Sequence, residues 1–161
     1  MNWRCKCSLI AFGALLLAVH LGGFRTVAAI KNMAVVVSPG SKLQDLPLAE
    51  LAKLCKGTQK SWPDGRSFTL IMKDPAAPDM RIVVQKLFGM EPAELKNAMA
   101  KLNDGRQMIK IVESDEELLR SVGATLGAVG VLDVYAINSS VKVLRVDGKL
   151  PFDVGYALKG N

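Results

Sequence analysis

Histidine and cysteine, the side chains best suited to move a proton near neutral pH or to hold a transition metal, are scarce in this chain. Its 161 residues include one histidine, His20, and three cysteines, Cys5, Cys7 and Cys55. His20, Cys5 and Cys7 all precede Ile30, and from there onward only Cys55 remains. A lone thiol cannot close an intramolecular disulfide in any redox compartment. Without imidazole there is no Ser-His-Asp triad, no Cys-His pair and no histidine-bound zinc. Acid–base chemistry would fall to carboxylates and lysines alone. No nucleophile–base pair stands out, so the expectation is a non-enzyme with no catalytic residue, no metal site and no cofactor.

Charge offers the other route to function. The whole chain carries a net charge of +6, but Arg4, Lys6 and Arg25 also precede Ile30, leaving +3 from there onward. Both signs are interspersed without a basic block, the pattern of a solvated surface, so no nucleic-acid partner is expected. The acidic run Ser114-Asp115-Glu116-Glu117 reads as a capping box rather than a metal site. Ser114 sits at the cap with Glu117 three positions on, and a helix N-terminus favours negative charge.

The N-terminus reads as a cleavable secretory signal, 1–29. Arg4 and Lys6 supply a basic start, Ser8 to Val19 an apolar run, and Val27 and Ala29 small residues at −3 and −1 of a cut before Ile30. The apolar run falls short of the roughly 20 residues that span a bilayer. The expectation is therefore a periplasmic or secreted domain, 30–161, with no membrane insertion after signal cleavage. That length suits one domain around one core.

Strands and helices alternate along this domain. Residues 34–37 are a β-branched apolar run, the mark of a buried strand, and Ser38-Pro39-Gly40-Ser41 turns the chain. A helix is predicted over 47–56, with Asp45 as its cap, Leu48, Leu51, Ala52 and Cys55 on one face, and Gly57 past its end. Cys55 is thus expected to be a core residue. Trp62-Pro63-Asp64-Gly65-Arg66 is a tight turn into a strand over 68–72. After a loop at 73–78, Asp79 is expected to cap a helix that Gly89 stops, and another helix begins at Pro92. A strand over 108–112, the helix opened by Ser114 and closed by Gly123, and strands over 128–132 and 141–146 complete the order. This order predicts an α/β fold, a mixed sheet covered by helices.

The order of these pieces resembles a known family. A valine-rich strand with its turn, the Leu-Ala-Glu-Leu helix ending in Gly57, and the Trp62 to Arg66 turn come first. The Ser114 helix running to Gly127-Ala128-Val129-Gly130-Val131 and the Asp147-Gly148-Lys149 turn with Pro151 and Gly155-Tyr156 continue the match. Together they resemble phosphate-type ABC-transporter substrate-binding proteins of the periplasmic binding-like superfamily, type II. The similarity is greatest to short members with little more than one lobe. The resemblance implies one lobe of that fold, a small anionic solute as ligand, and a transporter, sensor or other envelope protein as partner.

It also implies a ligand site, and there the sequence departs from the family. Relatives carry Arg-x-Asp-Gly-Ser-Gly-Thr between a strand and a helix, whose N–H and hydroxyl groups hold an oxyanion. Here the same place reads Lys73-Asp74-Pro75-Ala76-Ala77-Pro78-Asp79. Lys73 replaces the bidentate guanidinium by a point charge. Ala77, Pro78 and Asp79 remove both hydroxyls and one N–H, and add a carboxylate. The candidate ligand-binding residues are Ser38, Ser41, Lys73 and Arg81, expected around one cleft at the ends of the first two strands. Two functions compete: a solute-binding-like domain with a degenerate phosphate site, and a non-catalytic protein-interaction module that keeps the fold without the site.

Overall fold

A computed structural model describes residues 31–160. The expected signal segment and the cut before Ile30 lie outside the described residues. The sheet is built on β1 (Lys31–Val37), β3 (Thr69–Met72), β4 (Ile109–Ile111) and β5 (Ala128–Asp133), with β6 (Lys142–Val143) at its far edge. Its order is β4-β3-β5-β1-β6, and the short β8 (Lys159–Gly160) also pairs with β1. Strand β3 is parallel to both β4 and β5, whereas β1 runs antiparallel to β5, β6 and β8. One reversed strand therefore makes the sheet mixed, as the alternation of elements predicts.

Helices cover both faces, and the period-2 alternation of β1 shows how. Met33, Val35 and Val37 point into one cluster, with Leu51, Leu54 and Cys55 of α1 (Leu48–Cys55). α2 (Arg81–Val83), which runs on as a π-helical turn at Val84–Phe88, and Leu95 of α3 (Pro92–Leu102) pack into that cluster too. Ala34 and Val36 point the other way, onto Leu118, Leu119 and Val122 of α4 (Asp115–Ala124). Gly130 lets α4 lie this close: a Cβ there would stand 2.7 Å from both Leu118 and Val122. Cys55 is fully buried, as expected, and burial pushes its thiol pKa up.

Several local expectations change. Asp45 does not cap α1. It lies in β2 (Asp45–Leu46), parallel to β7 (Arg145–Val146), and its Oδ1 accepts from the Gly148 N–H at 2.9 Å. The α1 N-terminus is served by Asp147 instead, whose Oδ1 accepts from the Leu48 N–H at 3.0 Å. The two aspartates exchange places because β2 and β7 set each turn against the other's donors. Asp79 likewise leaves the start of α2 without a side-chain cap, its carboxylate being drawn to Lys73. At α4, Ser114 Oγ does accept from the Glu117 N–H at 3.2 Å, but Glu117 reaches the Glu113 N–H rather than that of Ser114. Gly123 lies inside this helix rather than ending it; it leaves room for the Ser140 carbonyl, 2.8 Å from where a Cβ would sit. The apolar run at 141–146 divides at Leu144, whose N–H donates to Val35 O before Arg145 moves over to Gln44 O.

Candidate functional site at the strand ends

The parallel strands β3, β4 and β5 deliver their C-terminal residues to one end of the sheet. Lys73 follows β3, Asp115 opens α4 just after β4, and Asp133 ends β5. The reversed β1 brings its first residue, Lys31, to the same end, because Met33 pairs with Asp133. The result is a charge network. Lys73 Nζ lies 2.6 Å from Asp79 Oδ2 and 3.0 Å from Asp115 Oδ1, with all three side chains largely sheltered. Lys31 Nζ lies 2.9 Å from Asp133 Oδ2. Burial works against the Lys73 ammonium, but Asp79 and Asp115 outweigh it and raise its pKa. Burial likewise opposes ionisation of Asp133, yet the Tyr135 N–H and the Lys31 ammonium hold it below the usual carboxylate range. Two ammoniums thus face three carboxylates, a balance that repels an added anion.

The loop between β3 and α2 has also spent several of its donors. Pro75 and Pro78 have no N–H. The Ala76 N–H donates to Asp74 Oδ1 at 2.8 Å, and those of Ala77 and Met80 donate to Asp74 O and Ala77 O. These five positions leave no free N–H for an anion cradle.

The four expected site residues do not share one cleft. Ser38 and Ser41 follow the C-terminal end of β1. Since β1 is antiparallel to β5, that end lies beside Val129, at the opposite end of the sheet from Lys73. Both serines are buried and engaged: Ser38 Oγ donates to Gly123 O at 3.2 Å, and Ser41 Oγ accepts from the Leu43 N–H at 3.3 Å. Hydrophobic runs carry no direction, so the sequence did not show that the first strand is reversed. Arg81 does lie beyond the Lys73 loop, exposed at the start of α2. It borders a hollow of about 700 Å³ walled by Ala76, Ala77, Pro78, Pro92 and Ala93, with Glu91 and Lys96 at its edge. Among the described residues, no carboxylate pairs with Arg81.

Three features of this end of the sheet escape sequence reasoning. Asp115 reads as one more acid at a helix start, and Asp133 falls just past the strand expected over 128–132. The third is an exposed aromatic pair, Tyr135 and Phe152, with ring centroids 6.1 Å apart and 83% and 62% of their surface exposed. Val154, 95% exposed, follows in the same loop as Phe152. The pair adjoins the charge network, for Asp133 Oδ1 accepts from the Tyr135 N–H at 3.0 Å. Two neighbouring exposed rings are a signal of contact, though one concealed in the sequence by β6 and β7 lying between them.

No protein-family model and no curated protein matches this sequence. Solved structures do match its fold. The PstS protein of Borrelia burgdorferi superposes with a TM-score of 0.63 at 17% identity, covering 83% of this chain and 56% of its own. An ABC-type phosphate transport receptor from Vibrio cholerae gives 0.59 at 15% identity, over 81% of this chain and 54% of that one. A putative phosphate ABC transporter substrate-binding protein from Clostridium perfringens, solved with bound phosphate, gives 0.60 at 16% identity, over 74% and 46%. The chain therefore has the fold of one part of phosphate-type substrate-binding proteins. It spans about half the length of the proteins it matches.

Proposed function

We propose that this is an exported substrate-binding-protein lobe that no longer holds phosphate at its strand-end loop and acts by docking another envelope protein, such as a transporter or sensor component. The observation that carries the reading is the double pairing of Lys73 with Asp79 and Asp115. The cation where a ligand would be held is already neutralised from inside the fold. The exposed Tyr135–Phe152 pair beside that network supplies the docking surface in its place. Export rests on the signal-like segment before Ile30; N-terminal sequencing from the host should start at or near that residue, and a product retaining Met1 removes that part.

Two measurements test the rest. Titration calorimetry with inorganic phosphate should show no saturable binding at micromolar concentrations; a dissociation constant in that range sinks the proposal. A photo-crosslinking residue placed at Val154 in the host should yield one discrete adduct, lost when Tyr135 and Phe152 are both replaced by Ser. If no adduct forms, the docking role fails.

A second reading has its own support in Arg81. An unpaired guanidinium at the rim of an apolar-walled hollow suits a small organic anion with an apolar body. Stabilisation by a panel of small carboxylates that disappears in Arg81→Ala would favour it. A panel without any effect removes it.

A further inference from the structure

The hollow at the other end of the sheet has the opposite electrostatic character. It measures about 500 Å³ and lies below the start of β4, between the ends of α1 and α3. Lys56, Lys60, Lys101 and Arg106 line it, with Asp104 as the one acid, and the Lys56 ammonium itself reaches toward Gly89, 3.6 Å from where a Cβ would sit there. Among the described residues, no carboxylate lies within ion-pairing reach of any of these four cations. Arg106 is held in place by its own contacts: one Nη donates to Lys60 O at 2.7 Å, and the other approaches Met108 Sδ at 3.1 Å.

Cations near helix C-termini often serve the helix itself, offsetting its dipole and its unpaired carbonyls. That explanation is largely used up here. At the end of α1 the Ala52, Lys53 and Leu54 carbonyls accept from the Lys56, Thr58 and Gly57 N–H groups, and the Gln59 N–H and Thr58 Oγ1 also donate to Lys53 O. At the end of α3 the Met99 and Lys101 carbonyls accept from Asn103 and Asp104 N–H groups. The side-chain cations are left around a concave surface with a single carboxylate among them. Such a site gains most from a compact ligand bearing several negative charges, which Lys60 and Lys101 can meet with charge-assisted hydrogen bonds in the field of the other two cations.

We infer that this hollow binds a multiply charged phosphate-bearing anion. The four cations come from the α1–β3 connection, from α3 and from the turn before β4, so binding would tie three separate pieces of chain together. The site lies at the opposite end of the sheet from Lys73, Arg81 and the aromatic pair, so its success or failure leaves the docking role untouched.

Inorganic pyrophosphate is the probe, used on the purified protein by titration calorimetry at about 0.05 M salt, where screening is modest. Saturable binding is expected, weakened about tenfold for each cation removed, in Lys60→Ala and Lys101→Ala. A charge-matched control, Lys42→Ala with Lys159→Ala, should bind as the parent does. Flotation with vesicles containing phosphatidic acid, whose phosphomonoester headgroup can carry two negative charges, separates the sources of such a group. Co-flotation that depends on Lys60 and Lys101 points to a lipid headgroup, and its absence beside tight pyrophosphate binding points to a free anion. Failure of both pyrophosphate and vesicles to bind overturns the inference. So does an equal loss of affinity in the control pair, which would reduce the effect to net charge.

Discussion

Lys73 shows how a charged side chain can be committed to partners inside its own fold. A guanidinium could answer a neighbouring carboxylate with some of its donors and offer the rest to a ligand. The ammonium of Lys73 is a compact point charge, and Asp79 and Asp115 meet it at 2.6 and 3.0 Å. Its removal should therefore cost stability rather than ligand affinity. Lys73→Ala leaves two largely sheltered carboxylates without their cation, and a destabilisation of about 1–3 kcal/mol is expected. Urea unfolding at pH 7 would read this as a lower midpoint with an unchanged slope. Asp79→Asn and Asp115→Asn together with Lys73→Ala should recover most of the loss, because no unpaired charge then remains. If the parent binds phosphate and Lys73→Ala abolishes that binding at no cost in stability, Lys73 is a ligand residue after all.

At the scale of elements, packing rather than capping fixes where the helices lie. Gly130, in the middle of β5, is the point at which α4 touches the sheet. A Cβ there would meet Leu118 and Val122 at 2.7 Å and Val36 at 3.0 Å. Three buried side chains would have to move together, so Gly130→Ala should destabilise by about 1–3 kcal/mol through overpacking. A thermal melt that leaves the midpoint unchanged would show that α4 can slide away from the sheet. The elements themselves were legible in the sequence wherever one period dominated: 34–37 as a buried strand, the Leu51 and Cys55 face of α1, the Ser114 start of α4. What the sequence hid was long-range. Asp45, close before Leu48 in the chain, is the local choice of cap, and only the β2–β7 pairing brings Asp147 to the α1 N-terminus. The direction of β1 was hidden for the same kind of reason, and with it the separation of Ser38 and Ser41 from Lys73. The site was therefore read in part. The missing N–H groups of Pro75 and Pro78 were visible residue by residue. The second carboxylate on Lys73 was not, because Asp115 belongs to α4, and α3 and β4 intervene along the chain.

For the whole molecule, the burial of acids whose charged forms the core cannot hold sets a limit in alkali. Cys55 sits in the larger core cluster, and burial raises its thiol pKa, opposed only weakly by Lys56. Tyr156 is buried in that same cluster, its hydroxyl donating to Met33 O at 2.8 Å, and burial raises its pKa as well. Each group stays protonated in the fold at a pH where the unfolded chain has already released its proton. The unfolded state then binds fewer protons than the folded state, so stability falls as pH rises. The fall begins near the ordinary thiol value of about 8.5 and steepens above the ordinary phenol value of about 10. Each group contributes about 1.4 kcal/mol per pH unit within its window. Lys31 and Lys73 act in the same direction above roughly pH 10.4, since their carboxylate partners raise their folded pKa values and the unfolded chain loses those protons first. Denaturant midpoints measured from pH 7 to 11 should stay level to about pH 8.5 and then decline with increasing slope. Cys55→Ala should remove the first part of that decline, between about pH 8.5 and 10, while leaving the steeper part in place. A parent whose midpoint is flat to pH 11 would mean that water or a base reaches both groups in the folded state, and that the core around α1 and β1 is not sealed.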